Sequence, residues 1–99
     1  MTYGRTDANH SDIAAVMRSV GAYVIDCSQV GAGFPDLIVM FRGRIYLVEV
    51  KDGAKPPSRR RLTPAQQVLH VEVERSGCKV HIVKNKDEAL ALLGARRAA

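Results

Sequence analysis

The sequence predicts a protein of the α/β class, with a mixed central sheet flanked by helices. Two apolar segments meet at a tight turn near the middle of the chain, and helical patterns lie before and after them. A third observation is a short apolar run between the last two helical patterns. A central hairpin enclosed by helices in this way indicates a sheet that helices cover. We expect one domain over residues 1–99, with a core over about residues 9–93.

The first half of the chain predicts one helix followed by three strands. Apolar residues at helical spacing in SDIAAVMRSVGA indicate a helix that ends at Gly21, with Asn9 or Ser11 as a candidate N-cap. YVIDCSQV is typical of a short strand and leads into the bend GAGFPD. DLIVMF and RIYLVEVK are then two strands joined by a turn at Arg42-Gly43.

The second half predicts a loop, a helix, a strand and a final helix. DGAKPPSRRR combines two prolines with a charge run and must be an exposed loop. LTPAQQ opens a helix with Thr63 as N-cap and Gln66 at the capping-box position, and this helix should extend to Gly77. CKVHIVK is a strand, and KDEALALLG is a helix capped by Asn85 and ended by Gly94.

Composition and charge narrow the function classes. The chain is 46% hydrophobic and 25% charged, which is typical of a globular protein. No apolar run is long enough to span a membrane, and the polar N-terminal residues lack the apolar centre of a signal peptide, so we expect a cytoplasmic protein. In that compartment Cys27 and Cys78 should be buried, reduced thiols. The net charge of +5 favours a polyanionic partner.

The two central strands carry three charged residues among apolar ones. With Arg42-Gly43 as a two-residue loop, Asp36 lies directly opposite Glu49, at the short separation of facing strand partners. Lys51, two residues after Glu49, projects from the same face. Opposed carboxylates repel each other and are costly to desolvate, so another group must offset that cost.

A divalent cation would offset this repulsion, because carboxylate oxygens suit Mg²⁺ or Mn²⁺ and a carbonyl such as that of Val50 can complete the site. Lys51 could then orient or deprotonate a water molecule, or stabilise charge that develops on a phosphate. The alternative is structural, with Lys51 paired to one acid while solvent surrounds the other at a strand end. Spacing alone does not decide between these two interpretations.

Several segments, taken in order, resemble a known nuclease family. Pro35-Asp36, an apolar strand, a short turn and then Glu49-Val50-Lys51 are similar to the PD-(D/E)XK nuclease superfamily. GAGFPDLIV, YLVEVKDG and LTPAQQ together resemble more specifically the virus-type replication-repair nuclease (VRR-NUC) domain, over most of the chain. The resemblance implies a restriction-endonuclease-like fold with an αβββαβ core. It also implies a metal-dependent phosphodiesterase.

The resemblance implies roles for individual residues. Asp36 and Glu49 would bind Mg²⁺, for which Mn²⁺ can substitute, with help from the Val50 carbonyl. Lys51 would act on the attacking water. Gln66 would support the site or contact the scissile phosphate, which is compatible with its capping position.

The first helix departs from the family pattern. Related sequences usually carry a glutamate there that joins the metal site, directly or through water, and this helix has none. Asp12 is the nearest substitute as a metal ligand, and Asp7 is the second. Alternatively, Asp12 only interacts with the helix dipole.

A basic run follows the proposed metal site. Lys55, Arg59, Arg60 and Arg61 lie in the loop that leaves the third strand, where they could bind several phosphates of a nucleic acid. The alternative is an ordinary solvated charge run. Aromatic residues make up only 5% of the chain and no helix carries a cluster of base-reading side chains, which favours recognition of nucleic-acid structure over sequence.

The first hypothesis is therefore a Mg²⁺-dependent endonuclease that acts on branched or structured DNA, in the manner of a Holliday-junction resolvase. The alternatives are a catalytically inactive nucleic-acid-binding module on the same fold and a small RNA-associated structural protein, which would give no reason for the opposed acids. We also expect a homodimer, because one metal site per chain cannot make two paired incisions and both hairpin faces are apolar. The family resemblance suggests phage or prophage replication, recombination or repair, in a bacterial or phage-infected cell.

Overall fold

The structure is a computed structural model that describes residues 8–55 and 61–95. Its seven elements follow the predicted order of one helix, three strands, a helix, a strand and a helix. They are α1 (Ala8–Ser19), β1 (Tyr23–Asp26), β2 (Leu37–Phe41), β3 (Arg44–Val50), α2 (Pro64–Arg75), β4 (Val80–Val83) and α3 (Lys86–Leu93). Among the described residues, no helix has the length and apolar character needed to cross a membrane.

The four strands form one mixed sheet in the order β1-β2-β3-β4. The first three strands are antiparallel neighbours, whereas β4 runs parallel to β3. A parallel neighbour requires a crossover connection, and α2 lies within it. The predicted α/β class with a mixed central sheet flanked by helices is confirmed.

The turn between β2 and β3 fixes the register of the central hairpin. Arg42 and Gly43 both have positive φ, at 50° and 80°, as a two-residue hairpin turn of type I′ requires. Phe41 pairs with Arg44 across this turn, and Leu37 pairs with Val48 at the far end. The predicted register is therefore correct.

One face of the sheet packs against α1 and α3 and contains the core. Side chains from both helices and from every strand contribute to this cluster. Its members include Ile13, Met17, Val24, Leu37, Val39, Val48, Val83 and Leu93. In β2 these residues alternate with less buried ones, as the two-residue period of a strand requires.

The opposite face of the sheet is only partly covered. Helix α2 has no buried residue. On this face Tyr23 is 65% exposed and Ile45 is 68% exposed, and Met40 beside them is also exposed. Strand β1 is the edge of the sheet at this end. The structure thus leaves an apolar area uncovered, which we call the open face and define by Tyr23, Ile25, Met40 and Ile45.

The helix caps agree with the sequence apart from small differences. Thr63 and Gln66 form the predicted capping box of α2, but this helix ends at Arg75, with Ser76 rather than Gly77 next. Asn85 caps α3 by accepting a hydrogen bond from the Glu88 backbone N–H. The cysteine prediction is half right: both are free thiols and Cys27 is buried, but Cys78 is exposed because it follows the turn that ends α2.

Candidate active site

The bend before β2 positions Asp36 at the start of that strand. Pro35 is buried, and the Asp36 carbonyl accepts a 2.7 Å hydrogen bond from the Cys27 backbone N–H, which fixes the start of the strand. The Asp36 carboxylate in turn accepts a 2.8 Å hydrogen bond at Oδ2 from the Val50 backbone N–H. Asp36 is therefore held against the end of β3, where the register places it opposite Glu49.

Glu49 is almost completely buried, with 1% of its surface exposed. Its Oε2 atom accepts a 2.7 Å hydrogen bond from Gln66 Nε2. Its Oε1 atom is buried and accepts no hydrogen bond from an N–H or O–H donor in the part of the chain that the structure describes. In the structural interpretation, Glu49 is therefore the acid that pairs with Lys51 at 3.9 Å, and the half-buried Asp36 is the acid nearer to solvent. A buried carboxylate oxygen without a donor is costly, and a bound cation would remove that cost.

The environment of Glu49 raises the pKa of its carboxyl group from 4.5 to about 8. Burial is the largest cause, since it penalises the charged form. The negative charge of Asp36 and a hydrogen bond to Asp36 act in the same direction, whereas the positive charge of Lys51 opposes them. Without a cation, the pair therefore retains a proton near neutral pH.

Gln66 connects the start of α2 to the charged residues. Its Oε1 atom accepts hydrogen bonds from Lys51 Nζ at 3.0 Å and from the Thr63 backbone N–H at 2.9 Å. Lys51 Nζ also lies 3.9 Å from Glu49 Oε2, and its side chain is 15% exposed. The predicted capping box is therefore present, and the same side chain contacts the acid and the lysine. A role of Gln66 in catalysis stays a prediction.

The donor set fits Mg²⁺. This ion typically takes one or two carboxylates from the protein and completes its coordination with water and substrate phosphates. Asp36 and Glu49 supply two carboxylates, and the Oε1 atom of Glu49, which accepts no hydrogen bond within the described residues, is an available ligand. Within the described ranges no third Asp, Glu, His or Cys joins them in a metal-binding group, so the structure does not place Asp12 in the site. Asp12 is exposed on α1, and Asp7 lies outside the described residues.

The basic run lies at the margin of the described residues. Lys55 and Arg61 are both exposed, and they bracket the segment that the structure leaves out. Arg59 and Arg60 fall within that segment and so lie outside the described residues. DNA binding by these four residues stays a prediction.

Asn9 is a contributor that the sequence did not indicate. It lies inside α1 rather than at the N-cap position, and its Nδ2 donates hydrogen bonds to the carbonyls of Lys51 at 3.0 Å and Lys84 at 3.2 Å. The first helix is thereby tied to the ends of β3 and β4 directly beyond the acid pair. The first helix, which has no glutamate, thus contributes an amide that anchors the Lys51 main chain.

The mixed sheet, its flanking helices and the Asp36, Glu49 and Lys51 arrangement place this chain among the restriction-endonuclease-like α/β domains. A solved structure described as "VRR_NUC domain" is similar to it, with a TM-score of 0.63 and 28% sequence identity. The similarity covers 88% of this chain and 91% of that one. The chain thus has a VRR-NUC fold, and the match supports its assignment to this nuclease-domain family. Comparisons with protein-family models and with curated proteins find no match.

The raised pKa of Glu49 predicts an unusual pH dependence of stability in the metal-free protein. Because the folded state binds this proton more tightly than the unfolded state, the stabilisation is complete below pH 4.5 and is lost as pH rises through about 8. Glu49→Gln removes the titration. In EDTA, the melting temperature of this variant should therefore rise relative to wild type between about pH 5 and pH 8.

Glu72→Gln serves as the matched control for this measurement. Glu72 is an exposed residue on α2 that pairs with Arg75 at 3.1 Å. Its variant should keep the wild-type pH dependence. Parallel melting curves for wild type and Glu49→Gln across this pH range would contradict the assignment of the proton to the acid pair.

Proposed function

We propose that this protein is a Mg²⁺-dependent DNA endonuclease that hydrolyses phosphodiester bonds in branched or structured DNA. One observation carries the proposal: two carboxylates approach each other in the sheet, one fully buried, with a lysine and a glutamine fixed beside them. A purely structural site gives no reason to retain this costly pair. The similarity to a VRR-NUC domain supports a nuclease of this kind.

Each residue of the site would have its own role in metal binding, charge stabilisation or positioning. Asp36 and Glu49, with the Val50 carbonyl, would hold the cation. Bound there, Mg²⁺ would polarise a phosphoryl oxygen and lower the pKa of a water molecule. Lys51 Nζ would donate a hydrogen bond to the attacking water or to a phosphoryl oxygen as negative charge develops. Gln66 would keep Lys51 and Glu49 in place through the hydrogen bonds that it already makes with both.

The proposed substrate is recognised by backbone charge and shape. The net charge of +5 favours a polyanion, and the exposed Lys55 and Arg61 would contact a phosphate backbone. We place this activity in phage or prophage DNA replication, recombination or repair, in the cytoplasm of a bacterial or phage-infected cell. Resolution of a four-way junction is the reaction that best matches structure-selective binding.

A homodimer belongs to the same proposal. The open face presents four exposed apolar side chains from three adjacent strands, beside the unpaired edge of β1. A contiguous apolar patch of this kind is typical of an interface. A second copy of the chain would cover it, and two-fold symmetry would supply the two sites that paired incisions require.

The cleavage prediction concerns the acid pair and Lys51. Asp36→Ala and Glu49→Ala should each abolish Mg²⁺-dependent cleavage of a labelled four-way junction and should lose Mg²⁺ binding measured by calorimetry. Lys51→Ala should keep metal binding but lower kcat by about 100- to 1,000-fold, because one charge-stabilising donor is removed. A flap and a linear duplex, each with Mg²⁺ and with EDTA, establish the substrate preference.

Exposed residues of the same types provide the controls for cleavage. Glu72→Ala and Lys79→Ala, purified in parallel, should cleave like wild type. If the wild-type protein binds junctions and cleaves none of these DNAs, the protein is a binding module instead. Full activity in any of the three site variants would falsify the site assignment.

The basic run predicts a salt effect. Replacement of Arg59, Arg60 and Arg61 with alanine should weaken binding to junction DNA and lower the slope of log affinity against log salt by about 0.9 for each phosphate that the protein no longer neutralises. Fluorescence anisotropy over a salt series, in EDTA to prevent cleavage, measures this slope. A slope equal to that of wild type would show that the arginines only contact solvent.

The dimer predicts a mass of about twice the chain mass of 10.8 kDa in light scattering at micromolar concentration. Ile45→Lys introduces a charge on the open face and should give the monomer mass, because an unpaired charge in an interface is strongly unfavourable. Ala91→Lys, at an exposed position on α3 across the sheet, should leave the dimer intact. A wild-type mass near 10.8 kDa, both free and as one chain per junction, would contradict the dimer.

A further inference from the structure

Among the glycines that the structure describes, only Gly33 lies so close to a neighbouring helix that an added Cβ atom would collide with it. It lies in the GAGFPD bend, two residues before Pro35, with φ at 79°. A Cβ atom at this position would overlap the carbonyl oxygen of Ala65 and would lie 2.8 Å from the backbone nitrogen of Gln66. Both are backbone atoms in the first turn of α2, so they cannot move aside without moving the helix.

The first turn of α2 therefore rests directly on the bend that delivers Asp36. The rest of this helix is only partly buried: Leu69, His70 and Val73 are half-buried, and no residue of the helix is fully buried. The side chain that reaches the site from this turn is that of Gln66, which donates to Glu49 and accepts from Lys51. A shift of the helix start by the width of one methyl group would change both of these hydrogen bonds.

We propose that Gly33 is a positioning residue of the site: because it has no side chain, α2 begins against the bend, which places Gln66 between Glu49 and Lys51. This inference adds a residue to the proposed nuclease site. It rests on the nuclease proposal only for the tests that measure cleavage. Gly33 has no side chain with which to act on the acids or the lysine, and it acts on them through Gln66. The GAG spacing ahead of Pro35-Asp36 thus has a packing reason as well as a conformational one.

Gly31, in the same bend, is the control that separates two effects of an alanine substitution. These are collision with α2 and strain from the positive φ. Its φ of 80° is nearly the same as that of Gly33, and an added Cβ would meet nothing within 4 Å. Alanine at either position is strained by the positive φ. Only Gly33→Ala also collides with α2, so the difference between the two variants reports the contact with the helix.

The test is a double-mutant cycle with Gln66. Gly33→Ala should lower kcat for junction cleavage by about 10- to 100-fold and leave KM near the wild-type value, because a supporting contact is displaced while DNA contacts remain. In a Gln66→Ala background, Gly33→Ala should change kcat by less than about two-fold, since its route to the site is already removed. Gly31→Ala should have no effect on kcat in either background.

Additive losses in this cycle, or equal effects of Gly31→Ala and Gly33→Ala, would overturn the proposal. Circular dichroism and thermal melting establish that each variant is folded before kinetics are compared. A loss of kcat that persists in full without Gln66 would show that Gly33 acts only on overall stability.

An NMR measurement on the metal-free wild-type protein tests the proposal independently of the kinetics. It does not require the variants to fold, and it does not require the protein to be a nuclease. In EDTA, NMR should show a nuclear Overhauser effect between the Gly33 Hα protons and the Gln66 backbone amide proton. The side-chain amide signals of Gln66 should shift in Gly33→Ala and remain unchanged in Gly31→Ala. Absence of the Gly33–Gln66 contact in the wild type would overturn the proposal and leave the nuclease proposal standing.

Discussion

The close approach of two carboxylates in the sheet is the constraint on which the site depends. Glu49 is buried beside Asp36, and both burial and the neighbouring charge favour its protonated form. The surrounding structure supplies a hydrogen-bond donor to each acid. The Val50 backbone N–H donates to Asp36, and the Gln66 side-chain amide donates to Glu49. Four segments of the chain therefore meet at the acid pair. They are the GAGFPD bend, β3, the start of α2, and α1 through its Asn9 contact.

Much of this arrangement could be predicted because it depends on local chemistry. The turn at Arg42-Gly43 sets the hairpin register, and that register alone places Asp36 opposite Glu49. The capping box was equally visible, since Thr63 and Gln66 have the required types and spacing. The residue that this local pattern identifies also belongs to the site, because Gln66 uses the same Oε1 atom for the cap and for its contact with Lys51.

The rest depends on contacts between distant segments, which carry no local pattern. Asn9 was a plausible cap by residue type, yet its amide donates to the carbonyls of Lys51 and Lys84. Asp12 was the nearest acid along the first helix, but helix geometry leaves it on the exposed side. The size of the gap between α2 and the bend, which determines what fits at Gly33, follows from the tertiary packing alone.

The absence of buried residues in α2 has a consequence for motion. A helix that contributes no side chain to the core can detach in a sub-global opening, at a free-energy cost below that of unfolding the whole domain. Such an opening withdraws the amide of Gln66 while leaving the acid pair in the sheet. A ligand that binds only the assembled arrangement would oppose such an opening, and a first ligand that does so would favour the binding of a second. The partial burial of α2 would in this way couple occupancy of the site to the order of a segment outside the core.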